Sequence, residues 1–139
     1  VTVVLDTGVV LALYDRADAG HAPVARWIEV LDEDLVTTPL AVAEMEQAVT
    51  RRGGEAGRKA LRRDLRVGAY SVRWWADGLA ETLEVTRRHP SLDLIDASLV
   101  ALAGLLRTSR IATFDEHFRS LTPSRGEPFT VLPADAERT

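Results

Sequence analysis

Asp6 ends a short β-branched run, Val1–Leu5, and Asp115 follows a second such run, Ile111–Thr113. Asp96 interrupts Leu94–Leu106, the most apolar stretch of the chain, where an unpaired carboxylate is costly. Glu44 lies in the segment after a third run, Leu35–Thr38. Four carboxylates brought together repel one another strongly unless a cation joins them. The chain has no cysteine, and its three histidines (His21, His89 and His117) include no pair at the spacing of a helical zinc site. An all-oxygen donor set suits Mg²⁺ or Mn²⁺, one or two ions. Sites of that kind commonly serve phosphoryl chemistry, in which the ion activates water and stabilises a leaving oxygen.

Each carboxylate taken alone has a structural alternative. Asp6 or Thr7 serves as a cap for the helix that follows, and Asp115 caps a short helix of its own. Glu44 by itself reads as a solvated helix charge, and Glu46 is no worse placed, so helical spacing does not choose between them. Asp93 stands three residues before Asp96, which makes it the cap of the helix whose first turn holds Asp96. The case rests on joint placement.

The elements that must position these residues alternate between strand and helix. Val1–Leu5 reads as a buried strand, Val9–Tyr14 as a helix, and His21–Leu31 as an amphipathic helix with Val24, Trp27, Ile28 and Leu31 on one face. Leu35–Thr38 is a strand. Pro39 opens a helix that runs to about Arg52 and ends at Gly53-Gly54. Then follow a basic helix at Ala56–Arg66, a strand at Ala69–Trp74, a helix at Ala76–Arg88 stopped by His89-Pro90, and the buried helix Leu94–Leu106. Strand Ile111–Thr113, short helix Asp115–Leu121 and strand Phe129–Leu132 complete the order. Such alternation implies an α/β fold with a mostly parallel sheet covered on both faces. Ligands in these folds gather beyond the carboxyl ends of the strands. Asp6 and Asp115 fall at that edge, and helices after parallel strands begin there, which brings Glu44 and Asp96 to it.

A chain of 139 residues is one domain by size, placed at 1–133, with a frayed tail expected over 134–139. The missing cysteines exclude disulfides, thiolate metal sites and cysteine nucleophiles. No leader is visible, and the longest uncharged apolar stretch, Ala97–Leu106, is half of a membrane span, so a soluble cytoplasmic protein is expected. The net charge of −4 is uneven: Arg51–Arg66 carries seven basic residues against Glu55 and Asp64, a net +5 that leaves −9 elsewhere.

The ordered segments Val3-Val4-Leu5-Asp6-Thr7, Ala43-Glu44, Leu94 to Ala103 (LIDASLVALA) and Ala112 to Phe118 (ATFDEHF) resemble the PIN-domain family, most closely its VapC-type toxins of toxin–antitoxin pairs. The resemblance covers almost the whole chain, and its specific parts are DASLVALA and TFDEHF. It implies a three-layer α/β/α domain with four or five strands, Mg²⁺- or Mn²⁺-dependent endoribonuclease activity, and neutralisation by a small cognate VapB-type antitoxin. By matching position, Asp6, Glu44, Asp96 and Asp115 are the metal-site and catalytic carboxylates, with Asp93, Thr7 and Thr113 accessory. A homodimer, with Val9, Val10, Leu13 and Tyr14 facing either a partner or the core, is a further implication, and no membrane partner is expected.

Carboxylates alone repel RNA, so a substrate needs a cationic track. Arg51, Arg52, Arg58 and Arg62 are the candidates, the alternative being a solvated or antitoxin-facing surface. Trp74 and Trp75 offer rings for base stacking or for the core, and His117 offers a phosphate contact or a surface role. A receiver-type phospho-acceptor lacks its lysine here, because Lys59 sits in a basic helix, and a haloacid-dehalogenase site lacks its second aspartate, because Gly8 occupies that position. The remaining alternatives are a non-catalytic RNA-binding or regulatory module of the same fold, and a DNA-directed nuclease.

Overall fold

The computed structural model describes residues 2–123 and 127–136. Five parallel strands form one sheet in the order β3-β2-β1-β4-β5. The first strand, β1 (Thr2–Leu5), is central, with Val3, Val4 and Leu5 buried, so an unbroken apolar run stands where a half-exposed strand would alternate. On one side β1 pairs with β2 (Asp34–Thr37), and β2 pairs with β3 (Ser71–Val72). On the other it pairs with β4 (Arg110–Ala112), which pairs with β5 (Thr130–Leu132).

The chain therefore moves outward in one direction through β2 and β3, then crosses back to build β4 and β5. With right-handed crossovers, that reversal sets α1 (Thr7–Tyr14), α2 (His21–Val30) and α3 (Pro39–Arg66) on one face of the sheet. It sets α4 (Gly78–Arg88) and α5 (Leu94–Leu106) on the other. Consistently, α1 packs against α2 and α3, and α4 packs against α5. This is the expected three-layer α/β/α architecture. Helix α5 is apolar on nearly every side because its residues Ala97–Ala103 are all buried, Ser98 among them. Among the described residues no helix is long and apolar enough to cross a membrane.

Several local expectations change. Helix α1 begins at Thr7, two residues earlier than the apolar pattern suggested, because Asp6 Oδ1 accepts the Thr7 N–H and caps it. Val9 and Val10 are buried, and Leu13 and Tyr14 pack against the core, so these four serve the interior. The edge strand β3 keeps only two exposed residues of the expected six. Within the tail placed at 134–139, Asp135 accepts from Arg119 Nη1 and Nη2 at 2.9 and 3.0 Å and from the Val131 N–H at 2.9 Å. Residues 137–139 lie outside the described residues.

Gly53-Gly54 does interrupt the long helix, but by reversing it. Gly54 has φ 59° and ψ −149°, a conformation open to glycine and strained for other residues. Beyond it, Arg62 Nε and Nη2 donate to both carboxylate oxygens of Glu46 at 2.7 and 2.9 Å. A straight helix would hold residues sixteen apart at about 24 Å. The arms on either side of Gly54 are thus a helical hairpin, with Gly57 so close to Val49 that a Cβ would sit 2.9 Å from its side chain and carbonyl. The returning basic arm ends beside β3, tied to α1 through Tyr14, whose hydroxyl donates to Asp64 and meets the Tyr70 hydroxyl at 3.1 Å.

Candidate metal centre

The strand order reverses between β1 and β4, and the crevice beyond their carboxyl ends is where parallel sheets bind ligands. Asp6 leaves β1 there, with its own N–H held by the Ala112 carbonyl of β4 at 3.0 Å. Its side chain is pinned from both sides. Oδ1 accepts from the Thr7 N–H at 2.8 Å, and Oδ2 accepts from the Thr113 hydroxyl at 2.7 Å. Burial pushes the Asp6 carboxyl above its ordinary range, and the two hydrogen bonds partly offset that rise; the charges of Glu44 and Asp115 add to it. Thr113 also accepts from the Asp115 N–H at 3.0 Å, so one hydroxyl orients two acidic residues.

Asp115 caps a 3-10 helix (Glu116–Ser120), its Oδ1 accepting the His117 N–H at 2.9 Å. Asp93 caps α5 as expected, its Oδ1 accepting the Asp96 N–H at 2.8 Å. Asp96 is half-buried in the first turn of that helix. Desolvation, followed by the charges of Asp6, Asp93, Asp115 and Glu44, pushes its carboxyl up to about 7. Asp96 therefore senses the charges of the other four acidic residues expected at the site. Glu44 is separated from Glu46 by tertiary structure: Glu44 faces Asp6 and Asp96 electrostatically, whereas Glu46 turns to Arg62.

Three hydroxyls that sequence reasoning missed support this edge. Thr37 Oγ1 donates to the Leu5 carbonyl at 2.8 Å, fixing the backbone just before Asp6. Ser98 Oγ donates to the Ile95 carbonyl at 2.7 Å, which leaves the Thr38 hydroxyl to donate to Ser98 at 2.8 Å while accepting the Ala41 N–H at 3.3 Å. That buried pair ties the helix bearing Glu44 to the helix bearing Asp96. The Thr38-Pro39 step carried a signal for the cap alone, since a threonine before a proline at the first helical position is a capping pattern.

The donor set fits a hard divalent ion: oxygen ligands only, Asp6 and Asp96 held above their ordinary range by burial and then by neighbouring carboxylates, and a buried Thr7 hydroxyl with no hydrogen-bond partner among the described residues. As the side chains stand, no three Asp, Glu, His or Cys residues among the described ones are arranged to hold an ion. A grip by three carboxylates requires side-chain rotation, for which half-buried Asp96 and exposed Asp115 have room and doubly bonded Asp6 does not.

The candidate RNA-contacting residues lie on the α3 hairpin, and three of the four are already paired. Arg52 bonds Asp15 and Asp18, Arg58 bonds Glu55, and Arg62 bonds Glu46, whereas Arg51 is exposed with no ion pair among the described residues. Trp75 packs against the core with its Nε1–H donating to Glu81 at 2.9 Å, and Trp74 is exposed beside it with ring centroids 5.3 Å apart. His117 is exposed.

A profile of the PIN domain matches residues 3–122. The chain is 35% identical over 136 residues to Ribonuclease VapC26 of Mycobacterium tuberculosis, spanning 94% of this chain and 99% of that one. Its fold is similar to that of M. tuberculosis VapC20, described as a sarcin-ricin-loop-cleaving toxin, with a TM-score of 0.73 and 21% identity over 81% of this chain and 89% of that one. A toxin–antitoxin complex from Klebsiella pneumoniae shares the fold at a TM-score of 0.63 and 16% identity, covering 89% of this chain and 99% of that one. With the profile spanning nearly the whole sheet and a VapC protein aligned from end to end, the chain belongs to the VapC members of the PIN domain family.

Proposed function

We propose that this chain is the toxin of a toxin–antitoxin pair, an endoribonuclease that uses Mg²⁺ or Mn²⁺ held by Asp6, Asp96 and Asp115 with Glu44. The observation that carries this reading is the half-buried Asp96 facing the charges of Asp6, Asp115 and Glu44 at the switch point, in a chain aligned end to end with a VapC ribonuclease. The ion, when bound, supplies activation of water and neutralisation of charge on the leaving oxygen. Asp6, locked by Thr7 and Thr113, is the fixed ligand against which the others are set. Asp96, in the first turn of α5, and Asp115, at the start of the 3-10 helix, would complete the ligand set. Glu44, on the facing helix, binds the ion or takes a proton from the water. Asp93 holds the start of α5 and so places Asp96. Arg51, Arg52, Arg58 and Arg62 receive RNA phosphates; their ion pairs are exposed and individually weak, so a phosphate can replace a carboxylate partner. The protein partner is a small antitoxin, and the toxin acts as a homodimer.

The test is cleavage of a mixed RNA pool by antitoxin-free protein in Mg²⁺, in Mn²⁺ and in excess EDTA, alongside Asp96→Asn. Cuts that need metal and vanish in the variant support the reading. Equal cutting by both proteins marks a contaminant. Folded wild type that binds metal and cuts no RNA in the pool points instead to a non-catalytic binding module.

A further inference from the structure

The β4 exit carries an aromatic side chain between two residues of the site. Phe114 lies between Thr113, whose hydroxyl bonds Asp6, and Asp115, yet 46% of it is exposed, an unusual state for a phenylalanine at the mouth of a parallel sheet. Its ring is held along one edge. A Cβ at Gly20 would meet Phe114 Cζ and Cε2 at 2.6 and 2.9 Å, and one at Gly8 would meet Cδ2 at 3.7 Å. Glycine at Gly20 is thus what lets the ring lie so close to the backbone. The rest of the ring lines an open groove of about 620 Å³ with Pro23, Arg26, Trp27, Val30 and Pro133. Arg26 is exposed on that groove and enters no ion pair among the described residues.

We propose that Phe114 is a stacking platform for an RNA base next to the scissile phosphate, with Arg26 receiving the neighbouring backbone phosphate. The inference rests on the ribonuclease reading and extends it to a substrate-positioning residue. Three observations favour a nucleotide as the occupant. The groove opens beside the acidic site, because Phe114, which lines it, stands between Asp115 and Thr113, whose hydroxyl bonds Asp6. Among the described residues that line it, the charged one is the cation Arg26, which complements a phosphate. A ring clamped at its edge by glycine backbone presents a face without the entropic cost of immobilising a mobile side chain, and single-stranded RNA is read by stacking of this kind.

The test uses the RNA fragment that the wild-type protein cuts in the mixed pool, with kcat and KM measured for Phe114→Leu and Phe114→Trp. Leucine keeps the apolar filling against Gly8 and Gly20 but removes the π-face; tryptophan keeps the face. Phe114→Leu is expected to raise KM by about 5- to 150-fold, the range for loss of one base–aromatic stack, with kcat within about twofold. Phe114→Trp is expected to stay within about threefold in both. A 2-aminopurine placed beside the cut site should be quenched on binding to Asp96→Asn protein, and the quench should disappear when Phe114→Leu is added. An unchanged KM or a retained quench in the leucine variant overturns the proposal. So does unchanged RNA cleavage combined with weakened inhibition by the antitoxin, which would assign the groove to a peptide. Wild type that cuts no RNA at all is a different failure, that of the ribonuclease reading, and the platform falls with it.

Discussion

Replacing Asp96 by asparagine should stabilise the metal-free protein while removing its metal binding. In the folded state the Asp96 carboxyl rises from 3.8 to about 7, first through burial and then through the charges of Asp6, Asp93, Asp115 and Glu44. A carboxyl that binds its proton more tightly when folded favours folding while protonated. That advantage is whole below about pH 4 and is lost as pH rises through about 7. Above pH 7 the full shift corresponds to about 4 kcal/mol. Asp96 is half-exposed, so solvent screening reduces this to roughly 2 kcal/mol. A negative charge in the first turn of α5 also gains up to about 1 kcal/mol from the helix dipole, which asparagine forfeits. The net gain for Asp96→Asn at pH 8 is therefore about 1 kcal/mol, or roughly 4 °C in Tm for a domain of this size. Thermal melts in EDTA at pH 8 and pH 5 measure it. The variant should melt higher at pH 8, and the gap should narrow at pH 5, where folded wild type is largely protonated. Saturating Mn²⁺ should raise the wild-type Tm and leave the variant nearly unmoved. A variant that melts at or below wild type in EDTA at pH 8 would refute the claim that these carboxylates strain the metal-free fold.

Adjacent glycines should respond with opposite signs. Gly54→Ala forces an alanine to φ 59° and should cost about 1–3 kcal/mol by denaturant unfolding, whereas Gly53→Ala, where a Cβ meets nothing within 4 Å, should stabilise by about 0.5–1 kcal/mol. Thr113→Val removes the donor to Asp6 and the acceptor for the Asp115 N–H; it should lower stability by about 1–3 kcal/mol and weaken Mn²⁺ binding about 10- to 100-fold by calorimetry. Glu44→Gln should weaken Mn²⁺ binding, and Glu46→Gln should leave it unchanged because Glu46 belongs to Arg62; equal effects would contradict the assignment.

The residues legible in the sequence were those whose local context already violated a rule. Asp6 and Asp115 end apolar runs, and Asp96 breaks an apolar helix, so strand-and-helix alternation sufficed to put them at one edge. The choice between Glu44 and Glu46 was not legible, because the residue that decides it, Arg62, lies sixteen positions downstream across a chain reversal. Gly53-Gly54 announced an interruption, but a glycine pair carries no information about the angle at which two arms meet. The shortness of β3 has a similar origin: an edge strand pairs on one side only, and after Val72 the backbone leaves the sheet, with the Arg73 N–H to the Thr37 carbonyl as its last bond to β2. The Thr38–Ser98 hydroxyl pair joins residues sixty apart, a contact that no window of local sequence contains.

The placement of β1 at the centre of the sheet bears on how this protein comes into being. Its first strand is made first, but one flank of that strand stays open until β4 and β5, more than a hundred residues later, arrive to pair with it. A chain halted before Arg110 has Asp6, Glu44 and Asp96 but lacks the Thr113 hydroxyl that orients Asp6, and it lacks Asp115. Such a fragment exposes an apolar strand edge, a template for aggregation. The last members of the acidic edge and the protection of the central strand are therefore acquired in the same late step, so a chain halted before Arg110 is expected to aggregate before its acidic edge is complete.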